Sequence, residues 1–155
     1  MSESRTARPD GVIVLLPGEE RHYPCGPMHS VFLADGAETG DRYSASIWWV
    51  SPGQPGPGAH SHDTNDELFY VIDGTMTFLA GDAWIDAAAG TFVRIPAGVT
   101  HDFENRTTSP AGALNVFIPG GFEASMPEIV EWYRAQTQGA PVTRAGAVRD
   151  DSPSA

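Results

Sequence analysis

One cysteine, few basic residues and no long apolar run mark this chain, and each scarcity closes off a class of function. Cys25 is the only cysteine, so no internal disulfide forms, and the chain suits a reducing compartment. A lone thiol without an argued base partner reads as an inert residue rather than a nucleophile. Nine Lys and Arg stand against 20 Asp and Glu, for a formal charge of -11 and a pI near 4.6. Such a surface repels phosphate backbones and anionic lipid heads, which are bound by clustered Lys and Arg. Neither nucleic acid nor a membrane surface is therefore an expected partner. The first apolar run, Val12 to Leu16, is too short for a signal-peptide core, and nothing reaches membrane-spanning length. The expected location is the cytoplasm.

What the chain does have fits one folded unit. Its 155 residues, 41% of them hydrophobic, suffice for a single core. The 17 Gly and 13 Pro are scattered rather than gathered into a linker, and between them lie short runs of Val, Ile, Phe, Tyr, Trp and Thr. That texture predicts an all-β fold of short strands and turns. Strands are expected over 12–16, 30–34, 43–50, 67–72, 75–80, 83–86, 91–95, 101–105 and 111–118. Hairpins are expected at Ile72-Asp73-Gly74 and Ala80-Gly81-Asp82. Antiparallel edges must be closed or covered, which favours a barrel or sandwich. A short C-terminal helix is expected from Ser125, where Ser125-Met126-Pro127-Glu128 fits a capping box and Met126, Ile129, Val130 and Tyr133 recur at helical spacing. Residues 1–10 and 139–155 are expected to be disordered, leaving a folded unit over 11–138.

Parity along the run from Glu67 has a consequence for assembly. Glu67, Phe69 and Val71 share one face of the strand, while Leu68, Tyr70 and Ile72 share the other. A strand apolar on both faces lies between two layers, and a homodimer is the expected source of the second.

Chemistry concentrates in two stretches. In "GAHSHDTNDELFYVIDG", residues 58–74, His60 and His62 project from one side of an extended chain, and Glu67 returns from the next strand. Two imidazoles and a carboxylate converging on one point suit a first-row transition metal. In "GTFVRIPAGVTHDFEN", residues 90–105, His101 follows a Pro-Ala-Gly turn and offers a fourth ligand. Singly, each histidine reads more readily as a hydrogen-bonded structural residue; the register of all four makes the case. His22 and His29 lack that register and read as structural or surface residues, although His29 lies near a strand that edges the interior. Arg94, an odd charge in an apolar strand, either faces solvent or anchors a substrate carboxylate.

The two stretches resemble the paired motifs of the cupin superfamily. Gly53, His60, His62, Glu67 and Gly74 follow the first motif, with Gly53 one residue too far upstream; Gly90, Pro96, Gly98, His101 and Asn105 reproduce the second. The short interval from Gly74 to Gly90 is similar to that of bacterial single-barrel cupins. The ending Phe117 to Glu123 with its short helix resembles quercetin-dioxygenase-type monocupins. The resemblance implies a jelly-roll β-barrel and one divalent transition metal (Fe, Ni, Mn, Co, Cu or Zn) held by His60, His62, Glu67 and His101. Asn105 then reads as a turn residue or a partner for a metal-bound imidazole. It implies a dioxygenase of a small enolic, phenolic or polyketide-like substrate, with Glu67 as catalytic base. Trp48, Phe69, Phe92, Phe103 and Phe117 would supply an apolar pocket, beside the plainer reading of most aromatics as core. Two alternatives stay open: a non-redox isomerase, cyclase or hydrolase using the metal as a Lewis acid, and a non-enzymatic small-molecule-binding cupin.

Overall fold

The computed structural model describes residues 9–137; the expected disorder over 1–8 and 139–155 lies outside the described residues. Among the described residues nine strands and one α-helix follow in order: β1 Arg21–Cys25, β2 Met28–Ala34, β3 Ser44–Val50, β4 Asp66–Asp73, β5 Thr75–Ala80, β6 Ala83–Ala88, β7 Phe92–Ile95, β8 His101–Glu104, β9 Ala111–Ile118 and α1 Met126–Thr137. Six strands form one sheet in the order β1-β2-β3-β9-β4-β7, and three form a second in the order β6-β5-β8. Every pairing between these strands is antiparallel. The two sheets enclose a core that includes Phe32, Trp48, Phe69, Val71, Met76, Phe78 and Phe103. This is the expected jelly-roll architecture.

Three expectations change. The run Val12 to Leu16 is not a strand: Val12, Val14 and Leu16 are exposed, and a turn closes behind them where Glu19 N donates to Leu16 O at 3.0 Å. β-branched residues favour a pleated surface, but without a neighbouring strand they do not make one. The strand forms instead at Arg21–Cys25, a stretch disguised by Pro24. Proline is tolerated there because β1 is an edge strand, paired only with β2.

Ile72-Asp73-Gly74 is not a hairpin, because β4 belongs to the large sheet and β5 to the small one. Gly74 makes the corner at φ 66°, and a Cβ there would stand 2.3 Å from Pro110 O. Only glycine meets both demands. Ala80-Gly81-Asp82 does join a paired hairpin, β5 to β6.

The capping box at Ser125 is also displaced. A 3₁₀ turn over Phe122–Ser125 runs directly into α1, so helical backbone begins before Ser125. Asp35 accepts instead from Gly121 N and Glu123 N, both at 2.7 Å, and satisfies donors at the start of that turn. The predicted stripe survives: Met126 and Tyr133 are buried, and Ile129 and Val130 pack against the core.

Candidate metal centre

Backbone pairing assembles the candidate ligands from separate segments. His60 and His101 form an isolated antiparallel bridge, with His60 N donating to His101 O at 2.9 Å and His101 N to His60 O at 2.7 Å. That bridge ties the loop after β3 to the head of β8. The Pro96-Ala97-Gly98 turn is held by Val99 N to Pro96 O at 3.2 Å and by Gly98 N to His62 O at 2.7 Å. Glu67, the second residue of β4, stands opposite Phe117 of β9 and Ile95 of β7. Its inward parity is the one expected from the sequence.

The donor atoms of His60, His62, Glu67 and His101 all lie within 4.8 Å of one another, with His60 half-buried and the other three buried. His101 Nε2 stands 2.5 Å from Glu67 Oε2, and His62 Nε2 lies 3.4 Å from the same oxygen. Two rings are oriented through their other nitrogen: His60 Nδ1 meets Gly58 O at 2.7 Å, and His101 Nδ1 meets Val99 O at 2.9 Å. A carbonyl two residues upstream thus sets each Nδ1 as donor and turns Nε2 inward. His62 Nε2 is buried without an aligned hydrogen-bond partner, although Glu67 is close. A buried nitrogen left so is costly in a protein core, and a divalent metal among these four donors would satisfy it.

Electrostatics agree with the geometry. Burial pushes the His60 imidazole down to about 3, with neighbouring His101 adding to the effect, so this ring stays neutral. Burial alone would raise the Glu67 carboxyl, but the hydrogen bond from His101 and the proximity of His62 outweigh it and hold the group ionised. For His101, burial opposes the charged ring and the Glu67 carboxylate wins, moving it above the usual histidine range. Without a metal the contact favours an imidazolium against a carboxylate.

The aromatic candidates divide into three. Phe117 packs edge-on to His62 at 5.0 Å between ring centroids. Trp48, Phe69 and Phe103 are buried but mostly meet one another and Phe78, as core residues do. Phe92 does not face the interior: it is 61% exposed on edge strand β7. Arg94 faces solvent and pairs with Asp66 at 3.2 Å. His29 meets His22 at 2.8 Å on the outer side of β2 rather than the interior. Asn105 supports no imidazole; its Nδ2 donates to Val50 O at 3.0 Å and Ser109 O at 2.7 Å, closing the turn after β8.

Two residues escaped the sequence reading. Phe122 stacks on Phe117 at 4.5 Å and reaches His62 at 6.2 Å, but it follows an aperiodic Pro-Gly-Gly stretch that gives no parity to read. Asn115 donates from Nδ2 to Glu67 Oε1 at 3.0 Å. Its signal was available: it is a polar residue at the inward parity of β9, between Ala113 and Phe117.

Comparison with known proteins decides the family. Residues 46–117 match the family model described as a cupin domain, and both sheets follow the corresponding fold. This chain belongs to the cupin superfamily. A curated relative of this cupin is quercetin 2,3-dioxygenase from Bacillus subtilis strain 168, 30% identical over 125 residues, which take in 76% of this chain and 35% of that protein. The chain therefore spans about a third of the relative it matches. Among solved structures, KdgF from Halomonas sp. superposes with a TM-score of 0.62 at 14% identity, covering 70% of this cupin and 94% of that chain. An RmlC-like cupin from Shewanella frigidimarina gives 0.61 at 16% identity, with 71% and 93% covered. At such identities the structural likeness speaks for the fold alone. Among the described residues no helix is long and apolar enough to cross a membrane.

Proposed function

We propose that this cupin is a metal-dependent dioxygenase of a small enolic or phenolic molecule. The observation that carries the reading is the buried set of three imidazoles and one carboxylate with His62 Nε2 unpartnered. The kinship with quercetin 2,3-dioxygenase supports the choice of reaction. His60, His62, Glu67 and His101 would hold the metal, whose mixed nitrogen and oxygen donors suit Fe, Mn, Ni, Co, Cu or Zn. When bound, a redox-active metal supplies Lewis acidity and access to oxygen chemistry.

The chain's own residues do the rest. Glu67 is ionised, so it can accept the proton of a substrate hydroxyl and leave an electron-rich enolate or phenolate. Phe117 and Phe122 flank His62 with stacked rings, and Trp48 meets Phe122 edge-on, which keeps water from that side. The exposed apolar face bearing Tyr70, Ile72 and Ile118 supports a homodimer.

The test is metal analysis of the untagged protein, followed by O2 uptake after anaerobic loading with Fe(II), Ni(II) or Mn(II) against a panel of enolic and phenolic compounds. We expect about one metal per chain and substrate-dependent uptake. Glu67→Gln should keep most of the metal and lower turnover. Substrate conversion without oxygen uptake would replace this reading with Lewis-acid chemistry, and a chain that takes up no metal would leave a binding module.

A further inference from the structure

Asn115 has two faces, and only one is engaged. Its Nδ2 donates to Glu67 Oε1 at 3.0 Å and to Leu68 O at 3.2 Å. Both neighbours are acceptors only, which fixes the orientation of the amide. The other end, Oδ1, is then an acceptor inside the barrel with no protein partner, on a residue 1% exposed. Ser44, also 1% exposed, leaves its Oγ unpartnered in the neighbouring inward row, opposite Phe117 and two pairs from Glu67. Buried polar atoms in a folded core are normally satisfied, so two unsatisfied ones beside a metal-type donor set point to a ligand.

Charge restricts that ligand further. The chain contains no lysine. Every arginine among the described residues is engaged elsewhere: Arg21 with Glu38 and Glu123, Arg42 with Thr39 O, Arg94 with Asp66, Arg106 with Glu104 and Arg134 with Glu131. The interior instead carries the Glu67 carboxylate, and the whole chain a formal charge of -11. Among the described residues no arginine is left to meet an anionic substrate, and the one imidazole raised by its surroundings, His101, is already paired with Glu67.

We infer that the barrel takes an uncharged molecule with a hydroxyl donor, and that Asn115 accepts from that hydroxyl through Oδ1 while its Nδ2 steadies Glu67. The inference rests on the oxygenase reading for its location but not for its chemistry. Asn115 is thus a specificity residue towards the substrate and a positioning residue towards Glu67.

The test is binding to the zinc-loaded full-length protein, in which no redox turnover confuses the measurement. Three single-ring probes are compared by calorimetry: catechol, guaiacol with one hydroxyl methylated, and salicylate with one hydroxyl replaced by a carboxylate. Catechol should bind about tenfold more tightly than either, the size expected for one buried hydrogen bond or one unmatched charge. Asn115→Leu should remove the preference of catechol over guaiacol while zinc remains near one per chain; if that variant does not fold, Asn115→Ala is read in the same way. A merely structural role would weaken all three probes alike and leave their ratios intact. Salicylate binding as tightly as catechol, an unchanged catechol-to-guaiacol ratio in the variant, or no binding by any probe would overturn the inference. Failure of the iron-loaded protein to consume oxygen would overturn the oxygenase reading and leave this preference standing.

Discussion

The two faces of β4 obey different rules. Inward, Glu67, Phe69 and Val71 are all buried, and the single chain accounts for each: a carboxylate among imidazoles, a ring among rings, a valine in the core. Outward, Tyr70 is 47% and Ile72 41% exposed, and neighbouring Phe92 and Ile118 are exposed as well. α1 does not cover them, because it packs on β1 at the opposite edge of the sheet. The difference teaches that one strand can be fully explained on one side and await a partner on the other.

The largest effect should come from the inner face. His101→Ala removes a donor whose Nε2 meets Glu67 and whose backbone bridges His60. Metal affinity, read by chelator competition, should fall by roughly 100-fold or more, while circular dichroism keeps the barrel signature. Full metal retention in both His60→Ala and His101→Ala would show that these are not the ligands. Next comes Phe69→Ala, which opens a void among Phe78 and Phe103. It should cost about 3–5 kcal/mol in denaturant unfolding. A loss below about 1 kcal/mol would mean that the inner face is not packed as described.

The outer face should invert this pattern. Phe92→Asp places a charge where a ring now meets solvent, so the single chain should lose no more than about 0.5 kcal/mol. Sedimentation should nevertheless show the proposed dimer dissociating at least about tenfold more readily. A wild-type chain that sediments as a monomer would break the comparison, leaving the outer face an apolar surface without a partner.

How much of this was legible follows the same division. Parity in β4 and the spacing of His60, His62, Glu67 and His101 are local features, so residue order and motif together brought out the four side chains that the fold gathers. What depended on contacts between distant segments could not. Gly74 looks like a hairpin glycine until β5 is seen to leave the sheet. Arg21–Cys25 looks unlike a strand until β1 proves to be an edge. Ser125 looks like a cap until Asp35, far back in the chain, takes that role. Asn105 was assigned by motif and serves its turn, whereas Asn115, in no motif, holds the carboxylate. Phe92 shows the limit of composition: an aromatic in a strand next to the site faces outward because parity, not identity, chooses the side.

The smallest effect concerns protons and sharpens what the inner face is before metal arrives. Burial opposes protonation of His101, but the Glu67 carboxylate at 2.5 Å raises it above the usual range, while the same contact keeps Glu67 ionised. By linkage, the His101 contribution to metal-free stability is fully present below the unfolded histidine pKa and is lost as pH rises through the raised folded value. The Glu67 contribution runs the other way, present above the unfolded carboxyl pKa and lost as pH falls. His60, held down to about 3 by burial, is neutral throughout the physiological range. Metal must therefore displace whatever proton His101 Nε2 carries, and uptake near neutral pH should release up to one proton per chain, with affinity falling as pH is lowered. Calorimetry in buffers of different ionisation enthalpy measures that number directly. A value near zero would mean that His101 is already neutral and that the inner face is a preformed set of lone pairs rather than an ion pair opened by the metal.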